Sequence, residues 1–191
     1  MTVNIDKKYE AGFSTDVETD LLPKGLNEDI VTQISAKMEE PEWLLKWRLN
    51  AYRRLQAMEQ PKWADPKVPD IDLQDIIYFA QPKKKYDSLD DVPQEILDTY
   101  NKLGVPIGEQ AKLAGVAVDA VFDSVSVGTT FKDDLEKQGI IFCPFSEAVK
   151  RVPDIVKKYL GTVIPQHDNF WACLNSAVFT NGSFVYIPKG V

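Results

Sequence analysis

The sequence is poor in the residues that usually hold metal ions. Its 191 residues include two cysteines and one histidine, and the cysteines have no CxxC spacing. A structural zinc or a protein-held cluster typically needs four soft ligands. The one set that the chain could assemble is Cys143, His167, Asp168 and Cys173. We expect structural roles for these residues instead, with Cys143 ending a buried strand and His167-Asp168 in a turn after Pro165.

Phosphate-binding loops are also missing. Neither GxxxxGK[ST] nor GxGxxG occurs, so the sequence does not predict an ATPase. A thiolate–imidazole pair of Cys143 or Cys173 with His167 remains conceivable, but nearness in sequence is weak support without geometry. We therefore predict no catalytic, cofactor-binding or metal-binding residue in this chain.

The charge of the chain and its lack of targeting signals limit the partners and the compartment that we expect. The chain has 22 Lys and Arg against 29 Asp and Glu, a net charge of −7, which does not favour nucleic acid or anionic lipid as partner. The first residues lack the pattern of a signal peptide, and no apolar run reaches the length of a membrane span. We expect a cytoplasmic protein with reduced thiols, although an occasional Cys143–Cys173 bridge stays open.

The first sixty residues have helical periodicity. Asn27 is a suitable N-cap, and Ile30, Ile34 and Met38 recur at helical spacing. A second helix is predicted from Glu42 to Glu59, with Pro41 near its first turn. One side of this helix carries Leu44, Trp47, Ala51, Leu55 and Met58, and Lys46, Arg53 and Arg54 are expected on a solvated face.

The next segment is punctuated by prolines at 61, 66, 69 and 82, which indicates an extended connector. Asp70 to Asp75 is rich in carboxylates, but Asp75 and Gln81 stand where a calcium loop needs Gly and Glu. We predict turn-forming carboxylates followed by a short strand, Ile76 to Phe79. The tryptophans are not interleaved with basic residues, so packing explains them better than base stacking.

From residue 87 the pattern is mixed. A helix is predicted from about Asp91 to Gly104 and a shorter one toward Gly115, while the apolar stretch from Val116 to Val127 fits either strand or buried helix. Further elements are predicted as a helix from Thr130 to Gln138, a strand from Ile140 to Cys143, and helices from Ser146 to Arg151 and from Pro153 to Leu160, with Gly161 as the stop.

The last segment predicts a strand pair. Leu174 to Phe179 and Phe184 to Pro188 are rich in β-type residues and flank Asn181-Gly182, a favourable two-residue turn. No cap follows the second strand before Val191, so its edge is expected to be open and the chain looks unfinished. We expect the apolar side chains of this exposed edge to promote association with another copy of the chain; they are Val178, Phe179, Val185 and Tyr186.

Five motifs together resemble the SufB family of iron–sulfur cluster assembly scaffolds, in the same order and across nearly the whole chain. They are Asn27 to Ala36, Glu40 to Trp43, Arg48 to Arg53, Val116 to Gly128 and Gln138 to Cys143, and Leu160 to Val191 resembles the start of the family's β-helical core.

The resemblance implies an N-terminal portion of a longer scaffold protein. Family members work in the SUF system, in a SufBCD complex with SufD and the ATPase SufC, and receive sulfur from donor proteins. Their cluster-forming cysteine, histidine and glutamate lie in later regions, and no position of this chain matches them. An iron–sulfur cluster is thus implied for the family but not for this portion.

The sequence predicts an α+β fold, and the resemblance implies a scaffold protein and not an enzyme. The predicted regions are a helical part (1–60), an extended connector (61–86) and a mixed α/β part (87–161), followed by what the resemblance implies is the incomplete start of a right-handed β-helix (162–191). Two alternatives remain open: a small thiol-dependent sulfur-handling enzyme that uses Cys143 or Cys173, and a non-catalytic adaptor that binds partners through the helix from Trp43 to Met58.

Overall fold

The fold is mixed α and β in a computed structural model that describes residues 19–62, 71–82, 94–102, 119–122, 125–129 and 132–191. Helices in these ranges are α1 (Glu28–Lys37), α2 (Glu42–Gln56), α3 (Gln94–Lys102), α4 (Lys132–Glu136), α5 (Phe145–Arg151), α6 (Pro153–Tyr159) and α7 (Phe170–Val178). Strands are β1 (Thr19–Leu21), β2 (Ala80–Pro82), β3 (Asp119–Phe122), β4 (Val125–Thr129), β5 (Ile141–Pro144) and β6 (Ser183–Tyr186).

The strands of the described residues form three small antiparallel pairs and no closed β-helix. β1 pairs with β2, with Asp20 opposite Gln81, and β3 pairs with β4. β5 pairs with β6, with Cys143 opposite Phe184. The α+β class predicted from the sequence is confirmed.

α1 begins and packs as its sequence predicts. The Asn27 side chain accepts a hydrogen bond from the Ile30 backbone N–H at 2.8 Å, which satisfies one of the free donors at the helix start. Ile30, Ile34 and Met38 are buried in one cluster with Leu22 and Phe79. The helical spacing of these side chains therefore forms a core face.

α2 is also confirmed, although it ends at Gln56 and Pro41 is its N-cap residue. Leu44, Ala51 and Leu55 are buried on the predicted stripe, while Lys46, Arg53 and Arg54 are exposed. The stripe contacts two cores. Ala51, Tyr52 and Leu55 pack with Leu26, Val31, Phe170, Cys173 and Ala177, and Leu44 packs with Cys143, Ala148, Val149 and Val156.

The predicted strand pair around Asn181-Gly182 is wrong. Leu174 lies inside helix α7, which the Asn169 side chain caps by accepting a hydrogen bond from the Ala172 N–H at 2.9 Å. The helical conformation of this segment is favoured over a strand because it buries Phe170, Cys173 and Ala177, which are spaced by three and four, against α2. The second strand does form, as β6, but its partner is β5.

Other boundaries differ less. Ile76 to Phe79 is not a strand; the Gly25 and Leu22 N–H groups donate to the Ile76 and Phe79 carbonyls, but regular pairing starts only at Ala80. The predicted helices near 94–102, 132–136, 145–151 and 153–159 and the strand near 141–144 are confirmed within a few residues.

In the apolar stretch from Val116 to Val127, the described parts are strands. The short helix predicted toward Gly115 lies outside the described residues. None of the described helices is long and apolar enough to cross a membrane.

Candidate functional site

The two cysteines are buried, are not joined by a disulfide and lie in different core clusters. The Cys173 thiol donates a hydrogen bond to the Ala51 carbonyl oxygen at 3.1 Å. Burial raises the pKa of Cys173, and the positive charge of Arg54 opposes this only in part. A thiol whose pKa is raised carries little thiolate near neutral pH, so Cys173 is a poor nucleophile.

His167 and Asp168 are exposed and follow Pro165 in a turn, as predicted; the Asp168 N–H donates to the Pro165 carbonyl at 3.0 Å. The four residues that could have formed a metal site are therefore divided between two cores and a surface turn. Within the described ranges, no group of three or more His, Cys, Asp or Glu side chains is arranged to hold a metal ion.

A cleft of about 330 Å³ lies beside the end of α7. Its apolar wall includes Trp47, Phe145 and Phe179, and Phe179 meets Trp47 and Phe145 edge to face at centroid distances of 5.9 Å and 5.3 Å. Asn175 and Asn181 add amide groups, and all the lining residues are uncharged. A lining of this kind suits apolar groups or neutral hydrogen-bonding groups better than charged ones.

An ion pair is buried next to this aromatic cluster. The Arg48 and Glu40 side chains are 0% and 4% exposed, and their closest N–O distance is 2.5 Å. The Arg48 guanidinium also lies 4.1 Å from the centroid of the Phe179 ring. The sequence analysis named Arg48 only as part of a family motif and did not predict its burial. Its position, four residues after Leu44 and three before Ala51, already places it on the buried stripe.

β6 and the residue after it, Ile187, present apolar side chains to solvent. Val185, Tyr186 and Ile187 are 56%, 37% and 58% exposed, and β6 has one partner strand, β5, among the described residues. Val178 and Phe179, which were also expected to be exposed, instead pack against core clusters. The exposed apolar surface predicted for this segment is thus confirmed only for its last part.

Comparison with known proteins identifies the family. Residues 85–191 match the family described as SufBD protein N-terminal region. The chain belongs to the SufBD family. An iron–sulfur cluster assembly SufBD family protein of Synechocystis sp. is 55% identical over 98% of this chain, one of Pyropia yezoensis is 54% identical over 96%, and a chloroplastic one of Arabidopsis thaliana is 51% identical over 98%.

The chain spans 40%, 38% and 34% of the lengths of these three relatives. Their similarity extends well before residue 85, so it includes α1 and α2 as well as the matched SufBD region. The resemblance recognised from the motifs is confirmed. For this SufBD member, the described residues form a packed body with an uncharged cleft and a strand, β6, that presents apolar side chains to solvent.

Proposed function

We propose that the chain forms the N-terminal part of a SufB-like scaffold subunit for iron–sulfur cluster assembly, and that it works with SufC and SufD. The observation that carries this proposal is the 55% identity to the Synechocystis family protein across 98% of the chain. The alignment spans nearly the whole chain, so the same folded body is expected in this relative.

Within this proposal the chain itself is not an enzyme. The thiol-enzyme alternative is disfavoured because Cys143 and Cys173 are both fully buried and burial raises the pKa of Cys173. An adaptor that docks through α2 is disfavoured as well, because the apolar stripe of that helix is already covered by the chain's own core. ATP hydrolysis would belong to SufC.

The iron–sulfur cluster would be the cargo of the assembled scaffold. Its ligands would come from parts of the full-length family proteins beyond the segment aligned to this chain, and sulfur would come from donor proteins. The pair of β5 and β6 would lead into a right-handed β-helix, for which the outward apolar residues of β6 offer a surface. The cytoplasm remains the predicted compartment, with a plastid equivalent for relatives such as the Arabidopsis protein.

A chimera tests this function. The aligned segment of the Synechocystis relative is replaced by these 191 residues, and the chimera is expressed with tagged SufC and with SufD. We expect a stable complex and cluster assembly close to that of the unmodified relative. The control is the relative with the segment deleted. A folded chimera that fails to join SufC and SufD, while the unmodified relative does so, would contradict the proposal.

A further inference from the structure

The buried Arg48–Glu40 pair contacts three separate parts of the fold. Arg48 Nε and Nη2 donate to the two carboxylate oxygens of Glu40 at 2.7 Å and 2.5 Å, a bidentate arrangement with fixed geometry. Burying two charges removes them from water, and an apolar pair of similar volume often stabilises a fold equally well. Its geometric role is therefore the more informative one.

The Glu40 side of the pair is set by the turn between α1 and α2. Glu39 has φ of 53°, the left-handed region that a non-glycine residue adopts at a cost, and the Glu40 N–H donates to the Ser35 carbonyl at 3.0 Å. This geometry holds the Glu40 backbone to the end of α1. The carboxylate that orients Arg48 is thus fixed by the helical body.

The other side of Arg48 faces the end of α7. Nη1 donates to the Ala177 carbonyl oxygen at 3.3 Å, one of the last carbonyls of the helix, where a positive charge also meets the negative end of the helix dipole. The next residue after the helix, Phe179, lays its ring over the guanidinium. Arg48 therefore contacts the chain at the point where it leaves α7.

From that point a short connection leads to β6. The Asn181 side chain accepts a hydrogen bond from the Ser146 N–H at 3.2 Å, and the Phe145 N–H donates to the Gly182 carbonyl at 2.6 Å. These contacts tie the connection to the β5–α5 corner. Arg48 joins the same connection to α1 and α2, beside the edge-to-face contact of Trp47 with Phe179.

We propose that Arg48 is a positioning residue that couples the helical body of α1, α2 and α7 to the β5–β6 pair. Its bidentate bond to Glu40 fixes the guanidinium, and the guanidinium fixes the exit of the chain from α7. The direction in which β6 is presented is set by this contact. The apolar α2–α7 contact of Ala51 and Leu55 with Cys173 lies further along α2 and does not depend on it.

The test removes both charges while keeping the volume, in the double variant Arg48→Met with Glu40→Gln. Peptide-resolved hydrogen exchange of the 191-residue chain compares residues 179–187 with residues 42–56. We expect exchange in 179–187 to rise about tenfold or more, the size of effect that loss of a charged buried hydrogen bond gives. Exchange in 42–56 is expected to change much less. Arg48→Lys, which keeps the charge but not the fork, should restore part of the protection.

The matched control is Arg53→Met with Glu28→Gln, the same change at an exposed pair on the same helix. It should leave both segments unchanged. If the double variant does not fold, Phe179→Leu removes the ring over the guanidinium and is measured in its place, with the same selective rise expected. Exchange that rises equally in all segments, or not at all, in the variant measured would overturn the proposal.

Discussion

Helix α2 has an Arg–Glu ion pair on each of two sides, one buried and one exposed to solvent. On the inner side of α2, Arg48 and Glu40 are 0% and 4% exposed; on the outer side, Arg53 and Glu28 are 61% and 49% exposed, with a closest N–O distance of 2.8 Å. Exposed pairs contribute about 0.2–1 kcal/mol, whereas breaking a buried pair costs about 3–5 kcal/mol. Burial, and not residue type, decides what each charge does for the fold.

The largest effect is expected from a charge placed where the inner side is apolar. Leu55→Asp puts a carboxylate among Ala51, Phe170 and Cys173, inside a cluster of buried apolar side chains. The free energy of unfolding should fall by more than about 4 kcal/mol. Urea unfolding followed by circular dichroism measures this. Leu55→Met is the control, with a loss below about 1.5 kcal/mol, and a small loss for Leu55→Asp would show that this face is not core.

The next largest loss of stability is expected from Arg48→Ala. It leaves the Glu40 carboxylate buried without its partner, so we expect a loss of about 3–5 kcal/mol. Arg53→Ala, five positions along the same helix, is the matched control and should cost about 1 kcal/mol or less. The same unfolding experiment compares them. Equal losses of unfolding free energy in the two alanine variants would contradict the claim that the buried pair matters more to stability than the exposed pair.

The pH dependence of Cys173 gives a smaller effect with a definite sign. Burial raises its pKa above the ordinary value of 9.0, so the unfolded chain loses this proton at a lower pH than the folded chain does. The contribution is complete below about pH 9 and declines as pH rises through the folded pKa. Stability of the unmodified chain should therefore fall more steeply above about pH 9 than that of Cys173→Ala. If the stability of the two proteins changed in parallel with pH, a raised pKa of Cys173 in the folded chain would be contradicted.

The smallest effect is expected from Arg53→Glu with Arg54→Glu. Both side chains are exposed, and the reversal replaces an exposed attraction to Glu28 by an exposed repulsion. Thermal unfolding should show a loss within about 1 kcal/mol. In about 0.5 M salt the difference from the unmodified chain should shrink further because exposed charges are screened. A large, salt-independent loss would place this face in a buried contact.

Local signals made α1 and α2 predictable. Asn27, the acidic residues after it and the three-and-four spacing of Ile30 and Ile34 act within one helix, so they can be read without knowing the rest of the fold. The same holds for the boundary at Gly161, whose φ of 69° suits glycine.

Non-local contacts explain what sequence reasoning missed. The run from Leu174 to Phe179 was predicted as a strand from its composition, but most of it lies in α7, whose helical form is favoured by burial against α2, more than a hundred residues earlier. The partner of β6 is likewise distant, since Ile141 pairs with Tyr186. Arg48 was overlooked because its function in the fold depends on Glu40 and on the end of α7 together.

We propose that this chain supplies the folded N-terminal part of a cluster scaffold and not the cluster ligands. Anaerobic reconstitution with iron and sulfide, followed by desalting and measurement of iron, labile sulfide and molecular mass, tests it on the chain alone and on the Synechocystis chimera. We predict bound cluster in the chimera and none retained by the monomeric chain. A stoichiometric, stable cluster on the monomeric chain alone would contradict the claim.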